Sequence, residues 1–79
     1  MEAKELGAFI AQIRKENQMT QAQLAACLKV TDKAVSRWER GMGFPDIQTL
    51  EPLAEALGVT LTELMKCQKM QQQEVSVQD

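Results

Sequence analysis

Side chains able to donate hydrogen bonds recur at intervals of three and four residues in the stretch DKAVSRWER: Lys33, Ser36, Arg37 and Arg40. At about 100° per residue, this spacing places all four within an arc of about 100° on one side of a helix. Ammonium and guanidinium groups donate to acceptor-rich or anionic partners. The pattern predicts a helix that presents cations and one hydroxyl group outward.

The opposite side of the same helix is apolar. Ala34, Val35 and Trp38, the only tryptophan in the chain, fall together there. Glu39 lies at the edge of this apolar side, where a half-buried carboxylate needs a partner. Arg14, near the end of the preceding helical segment, is the predicted partner. We expect Trp38 to anchor the helix to the core and the ion pair to hold its end.

Charge is distributed unevenly along the 79 residues, whose net charge is −2. Residues 29–40 hold four basic and two acidic residues, whereas residues 41–79 hold two basic and six acidic residues. The net charge argues against a polyanionic partner, but the distribution leaves one basic patch. On composition alone, a solvated helix face is the more common interpretation of such a patch. The elements that flank this helix are therefore needed to distinguish a solvated face from a surface that binds a polyanion.

Size and composition exclude several classes of protein. The chain makes one small domain with little interior for a pocket, and only 4% of its residues are aromatic. Without histidine, and with only Cys27 and Cys67, it offers no zinc ligand set, no nucleophile–base pair and no evident cofactor or small-molecule substrate. Both thiols are predicted to be reduced, with Cys27 packed as a small apolar residue. The missing catalytic groups and the small interior predict that the chain is not an enzyme. With no apolar run of about 20 residues and no signal peptide, it is expected to be cytoplasmic.

Three helical segments begin with the same arrangement of residues. Thr20, Thr31 and Thr60 stand where a hydroxyl group caps the first free N–H groups of a helix, and Gln23 and Glu63 complete capping boxes. Apolar residues flank each cap as hydrophobic staples. Three such starts in so short a chain predict an all-α protein.

Five helices follow from the apolar periodicity and the capping residues. They are expected over about Lys4–Asn17, Gln21–Leu28, 32 to near Gly41, Ile47–Leu57 and Leu61–Lys66. In the first, Leu6, Phe9, Ile10 and Ile13 form one apolar face. Pro52 conflicts with a helix interior, so we expect residues 46–49 to form a loose first turn and the regular helix to begin near Thr49.

The chain divides at residue 66 on composition. Residues 1–66 carry the periodic segments, and residues 67–79 form a polar tail that is predicted to be disordered or to lead into a further region. Leu61, Leu64, Met65 and Phe44 are expected to leave apolar surface for self-association.

The second and third helices are joined by only three residues, KVT. So short a connection makes a helix–turn–helix, whose second helix fits the major groove of B-DNA, about 12 Å wide. The motifs TQxxLA, VSxWExG and PDIxTLxxLAxxLGV resemble together the Cro/phage-repressor-type helix–turn–helix family, also called the XRE family. The resemblance covers about Leu6 to Met65. It implies a compact five-helix, lambda-repressor-like domain that binds double-stranded DNA as a homodimer on a pseudo-palindromic site.

The resemblance also implies roles for individual residues. Four positions match base-contacting positions of the family: Asp32, Lys33, Ser36 and Arg37. Gln21, Thr31 and Arg40 match phosphate-contacting positions, and the N–H of Gln21 at a helix N-terminus suits an anion independently. Arg14 and Glu39 match an interior ion pair, and Trp38 matches a core position.

Some of these roles stay open. Asp32 departs from the glutamine that the family often carries there. Its carboxylate accepts from a cytosine N4 amino group, or it only favours the helix N-terminus electrostatically. Lys33 and Arg37 both suit guanine O6 and N7, and Ser36 suits either a base or a phosphate.

The leading hypothesis is a sequence-specific DNA-binding transcription regulator, expected to be a repressor. The alternative is a protein-interaction module or an antitoxin of the same fold, which the net charge of −2 and Asp32 would suit.

Overall fold

A computed structural model describes residues 1–70 of the chain. Within this part, five α-helices and no strand are present: α1 (Ala3–Glu16), α2 (Gln21–Leu28), α3 (Asp32–Glu39), α4 (Ile47–Leu57) and α5 (Leu61–Lys66). The all-α, five-helix prediction is confirmed. The predicted bounds of α1 and the predicted end of α3 differ from the observed ones by one or two residues, and those of the other three helices agree.

The predicted threonine caps begin three of the helices. The Thr20 hydroxyl accepts from the Gln23 N–H at 3.0 Å, and the Gln23 side chain accepts from the Thr20 N–H at 2.8 Å. Thr60 and Glu63 form the same reciprocal pair at 3.0 and 2.8 Å. Thr31 accepts from Ala34 at 3.1 Å. These local bonds satisfy N–H groups that have no partner inside a helix. The starts of the three helices could therefore be predicted correctly from the sequence.

The core is formed by side chains from all five helices. The predicted apolar face of α1 is buried, and every other helix contributes at least one buried apolar side chain. The largest fully buried side chains are Leu6, Ile10, Ile13, Leu24, Val35, Leu53, Leu57 and Leu64. Aliphatic burial of this kind supplies most of the favourable free energy of folding in a chain of this size.

The start of α1 packs directly against the end of α3. A Cβ atom on Gly7 would overlap the Trp38 carbonyl oxygen, so only glycine permits this approach. Gly41, which follows the end of α3, has a φ of +76°, and a Cβ there would lie 2.7 Å from Lys4 Cγ. Two glycines therefore let the backbones of α1 and α3 meet.

The expectation about Pro52 was wrong. Helix α4 begins at Ile47 rather than near Thr49, and its first turn closes with a 2.8 Å bond from the Thr49 N–H to the Asp46 carbonyl. Pro52 then stands inside the helix, where its missing N–H leaves the Gln48 carbonyl without a helical donor. Both residues are exposed, so water can serve that carbonyl.

Two predictions about burial were also wrong. Cys27 is exposed rather than packed, because it lies on α2 about 100° away from the direction in which Leu24, Ala25 and Leu28 face. Leu64 is 0% exposed and belongs to the core, so it offers no surface for self-association. Phe44 is exposed as predicted, at 51%.

The first residues of the predicted tail contact the helices. The N–H groups of Gln68 and Met70 donate to the Glu63 carbonyl and carboxylate at 3.2 and 2.8 Å, and Lys69 lies 3.6 Å from Glu16. The boundary at residue 66 stays a prediction. The remainder of the predicted tail, residues 71–79, lies outside the described residues.

Candidate nucleic-acid interface

The turn between α2 and α3 is closed by backbone hydrogen bonds. Lys29 adopts the left-handed conformation, with φ 59° and ψ 39°. The N–H groups of Lys29 and Val30 donate to the carbonyls of Ala26 and Ala25 at 3.3 and 3.0 Å. Because Thr31 then caps α3, the chain turns from α2 into α3 within three residues, and these bonds fix the angle between the two helices. The sequence predicted the turn but not its left-handed lysine.

The inner side of α3 is fixed to α1 and α2. Val35 and Trp38 are buried, and the predicted ion pair is present, with Arg14 Nε 2.6 Å from Glu39 Oε2 and Nη2 3.0 Å from Oε1. Arg14 Nη1 also donates to the Met19 carbonyl at 2.8 Å. The hydrogen bond to Glu39 raises the pKa of Arg14 above its ordinary value. This network locks the end of α3 against the rest of the domain.

Gln21 adds a contact that the sequence did not predict. Its side-chain Nε2 donates to Glu39 Oε1 at 2.9 Å, so part of its amide group serves the buried ion pair. The backbone N–H, at the first position of α2, has no partner inside that helix. A phosphate contact by Gln21 therefore requires this N–H or the second amide hydrogen. No sequence signal could have found the bond to Glu39, because it depends on how α2 crosses α3.

The outer side of α3 faces away from the protein. Asp32, Lys33, Arg37 and Arg40 are exposed, and Ser36 is half-buried. Within residues 1–70, none of the three cations has an ion-pair partner. Arg40 Nε donates to the Ser36 carbonyl at 3.3 Å, which holds its stem along the helix. The structure thus brings the predicted base-contacting residues together on one open surface.

The predicted phosphate contacts border this surface. Thr31 is exposed at the N-terminus of α3, and its hydroxyl oxygen accepts from Ala34 while its hydrogen stays available to an acceptor. Phosphate oxygens require donors of this kind around the groove. The arrangement suits an acceptor-rich duplex groove flanked by anions.

The described part of the chain offers little other chemistry. Residues 1–70 contain no cluster of three or more metal-ligating side chains, and Cys27 and Cys67 are free thiols. A shallow groove between α1 and the end of α5 includes Phe9 and Cys67, and burial raises the pKa of the Cys67 thiol. None of the described helices is long and apolar enough to span a bilayer.

Known proteins resemble this chain in sequence. The HTH-type transcriptional activator BcrR of Enterococcus faecalis is 33% identical over 84% of this chain and 32% of its own length. The 26 kDa repressor protein of Escherichia phage HK022 is 48% identical over 56% of this chain and 19% of its own length. An uncharacterized HTH-type transcriptional regulator of Sinorhizobium fredii, y4dJ, is 37% identical over 78% and 80% of the two chains. The chain thus spans about a third or less of the first two relatives.

Solved structures share the fold. The DNA-binding domain of the P22 C2 repressor superposes with a TM-score of 0.76 at 32% identity, over 84% of this chain and 87% of that one. The P22 c2 repressor in complex with a synthetic operator gives 0.72 at 32% identity, over 75% and 89%. Hydroxypropylphosphonic acid epoxidase from S. wedmorenis gives 0.73 at 26% identity, over 80% of this chain and 34% of that one.

A helix–turn–helix family model matches residues 10–64 of the chain. This range holds α2, the three-residue turn and α3, together with the Arg14–Glu39 pair that fixes them. The chain belongs to the Cro/phage-repressor-type (XRE) helix–turn–helix family.

Proposed function

We propose that the chain is the sequence-specific, double-stranded DNA-binding domain of a transcription regulator, and that it places α3 in the major groove. The observation that carries this proposal is the two-sided construction of α3. Val35 and Trp38 anchor one side to the core, while Lys33 and Arg37 stand exposed and without ion-pair partners in residues 1–70 on the other. A helix that protrudes in this way fits a groove about 12 Å wide.

The relatives support the regulatory role. They include an activator, a phage repressor and a further regulator, and one structural neighbour was solved with a synthetic operator. Repression is the direction we propose, because a domain that occupies promoter DNA needs no further contact to block transcription.

Each side chain of the interface has a proposed task. The base edges are contacted by Asp32, Lys33, Ser36 and Arg37, and the phosphates by Gln21, Thr31 and Arg40. The Arg14–Glu39 pair and Trp38 position α3 without touching DNA. The proposal includes no catalytic residue and no cofactor. It includes a cytoplasmic location, where the protein has access to double-stranded DNA.

Two copies are proposed to bind one pseudo-palindromic site. A helix–turn–helix homodimer places its recognition helices about 34–36 Å apart, one turn of the duplex. Sedimentation of the protein with a duplex carrying two half-sites at this spacing should give two chains per duplex. A complex of one chain per duplex at saturating protein would contradict the dimer.

Titration of DNA affinity against salt tests the proposal as a whole. The logarithm of affinity should fall linearly with the logarithm of salt concentration, with a slope of about −0.9 for each phosphate contacted. Selection from random duplexes at about 100 mM salt should enrich one motif. Arg37→Ala should weaken discrimination at one or two base pairs, whereas the matched control Lys66→Ala, on α5, should not. If no motif is enriched, the proposal is wrong.

A protein-interaction module is the second candidate, favoured by apolar side chains directly after α3. Met42, Phe44 and Ile47 are 56%, 51% and 83% exposed. If the protein uses this surface to bind a partner protein, the Lys33→Ala/Arg37→Ala double variant should bind that partner as tightly as the wild type does. The DNA-binding proposal requires the double variant to lose DNA affinity.

A further inference from the structure

We infer that α3 recognises G·C base pairs, with guanines facing Lys33 and Arg37 and a cytosine facing Asp32. This inference rests on the proposed DNA-binding function and goes further by specifying the composition of the half-site. It follows from the donor and acceptor character of the exposed side chains and from what each base pair presents in the major groove.

The two exposed cations favour guanine. Lys33 and Arg37 carry only donors, and their outward positions leave those donors open. Guanine is the one base that presents two acceptors, O6 and N7, in the major groove, whereas adenine places a donor beside its acceptor and thymine offers one acceptor beside a methyl group. A donor-only side chain therefore makes its best contact with guanine.

Asp32 complements this preference. An ionised carboxylate only accepts, and the cytosine N4 amino group is a donor with no acceptor beside it on the same base. The adenine N6 amino group also donates, but the neighbouring N7 lone pair repels a carboxylate. Cytosine is therefore the better partner for Asp32 than adenine.

The structure shows that α3 does not need Asp32 for its N-cap. The Thr31 hydroxyl already accepts from the Ala34 N–H at 3.1 Å, so the cap is made by the preceding residue. Asp32 is exposed and forms no ion pair within residues 1–70. An interaction with the helix dipole leaves both carboxylate oxygens accessible to a base.

The outer side of α3 lacks the side chains that recognise A·T pairs. Asparagine and glutamine pair with adenine through N6 and N7, and neither occurs in residues 32–40. Apolar side chains contact the thymine methyl group, but Val35 and Trp38 are buried and Ala34 is half-buried on the inner side. Only Ser36, which contacts any base, is neutral in this respect.

The spacing along α3 separates these contacts. Asp32 and Arg37 are five residues apart, about 7.5 Å along the helix axis. Since base pairs rise by about 3.4 Å, this distance corresponds to roughly two base steps. Each half-site should therefore contain at least two G·C pairs that α3 contacts directly.

Selection from random duplexes with the wild type and with Asp32→Gln tests the inference. The wild type should enrich at least two G·C positions per half-site. Asp32→Gln introduces an amide group that pairs with adenine, so it should change one cytosine of the motif to adenine and leave the other positions unchanged. Glu55→Gln, which removes an exposed carboxylate from α4, is the matched control and should keep the wild-type motif.

Affinity measurements on single duplexes test how strongly each base pair contributes to binding. Replacing the guanine that faces Arg37 with adenine should weaken wild-type binding by roughly 5- to 150-fold and should barely affect Arg37→Ala. Unfolding midpoints equal to that of the wild type would show that the variants are folded.

The outcomes separate the two proposals. A wild-type motif of A·T pairs, or an unchanged motif with Asp32→Gln, would overturn the inference while leaving sequence-specific DNA binding intact. Absence of any enriched motif would instead overturn the proposed function and the inference with it.

Discussion

The two sides of α3 differ in how far the protein satisfies their side chains. On the inner side, Glu39 accepts from Arg14 and Gln21, and Val35 is fully buried. On the outer side, Lys33 and Arg37 have no ion-pair partner within residues 1–70. Eight residues thus serve two purposes, because a helix separates neighbouring positions by about 100°.

This difference indicates that the inner side of α3 contributes to the stability of the domain and the outer side to recognition of a partner. Contacts of the inner side hold α3 at one angle to α1 and α2, and contacts of the outer side await a partner. We expect substitutions on the inner side to change the free energy of unfolding, and substitutions on the outer side to change DNA binding alone.

The largest loss of stability is expected from Arg14→Met. It leaves Glu39 buried without its main partner, which costs about 3–5 kcal/mol. Lys69→Met removes the only other ion pair among residues 1–70, whose side chains are 57% and 47% exposed, and should cost less than about 1 kcal/mol. Urea unfolding measures both. Equal losses would show that burial of the inner pair does not matter.

Gly7→Ala is expected to cost about 1–3 kcal/mol, since the new methyl group must displace the backbone at Trp38. Gly43→Ala is the control, because a Cβ there meets no atom within 4 Å and should change stability by less than about 0.5 kcal/mol. Thermal unfolding distinguishes the two variants. A harmless Gly7→Ala would contradict the close approach of α1 to α3.

Arg37→Ala should produce the opposite pattern. Its loss of discrimination is worth about 1–3 kcal/mol in DNA binding, while its free energy of unfolding should stay within about 0.5 kcal/mol of wild type. Fluorescence anisotropy with specific and mutated duplexes, together with urea unfolding, measures both quantities. A large loss of stability would mean that Arg37 belongs to the inner side after all.

The smallest effect is expected at the turn between the two helices. Lys29→Gly relieves a left-handed conformation that disfavours a side chain, and should stabilise the domain by about 0.5–1 kcal/mol. Ala8→Gly, at an exposed position inside α1, should instead destabilise it by roughly 1 kcal/mol. Calorimetry compares the two, and the motif selected by Lys29→Gly should match that of the wild type.

Much of the fold was predictable because its signals are local. The caps at Thr20, Thr31 and Thr60 and the apolar face of α1 depend on residues three or four positions apart. The same rule predicted the outward cations and the half-buried position of Glu39, which requires a partner. Arg14 was predicted as that partner from its place near the end of α1 and from the family resemblance, not from periodicity. The expectation about Pro52 was wrong because helix rules alone do not show that Gln48 and Pro52 lie on an exposed part of α4.

By itself, the sequence determined five helices, a three-residue turn and the chemistry of the two sides of α3. Tertiary structure decided the bond from Gln21 to Glu39, the close approach of Gly7 to the Trp38 carbonyl and the burial of Leu64. The physical reason is distance along the chain. Capping and periodicity act between near neighbours, whereas these three features depend on how helices far apart in sequence cross one another.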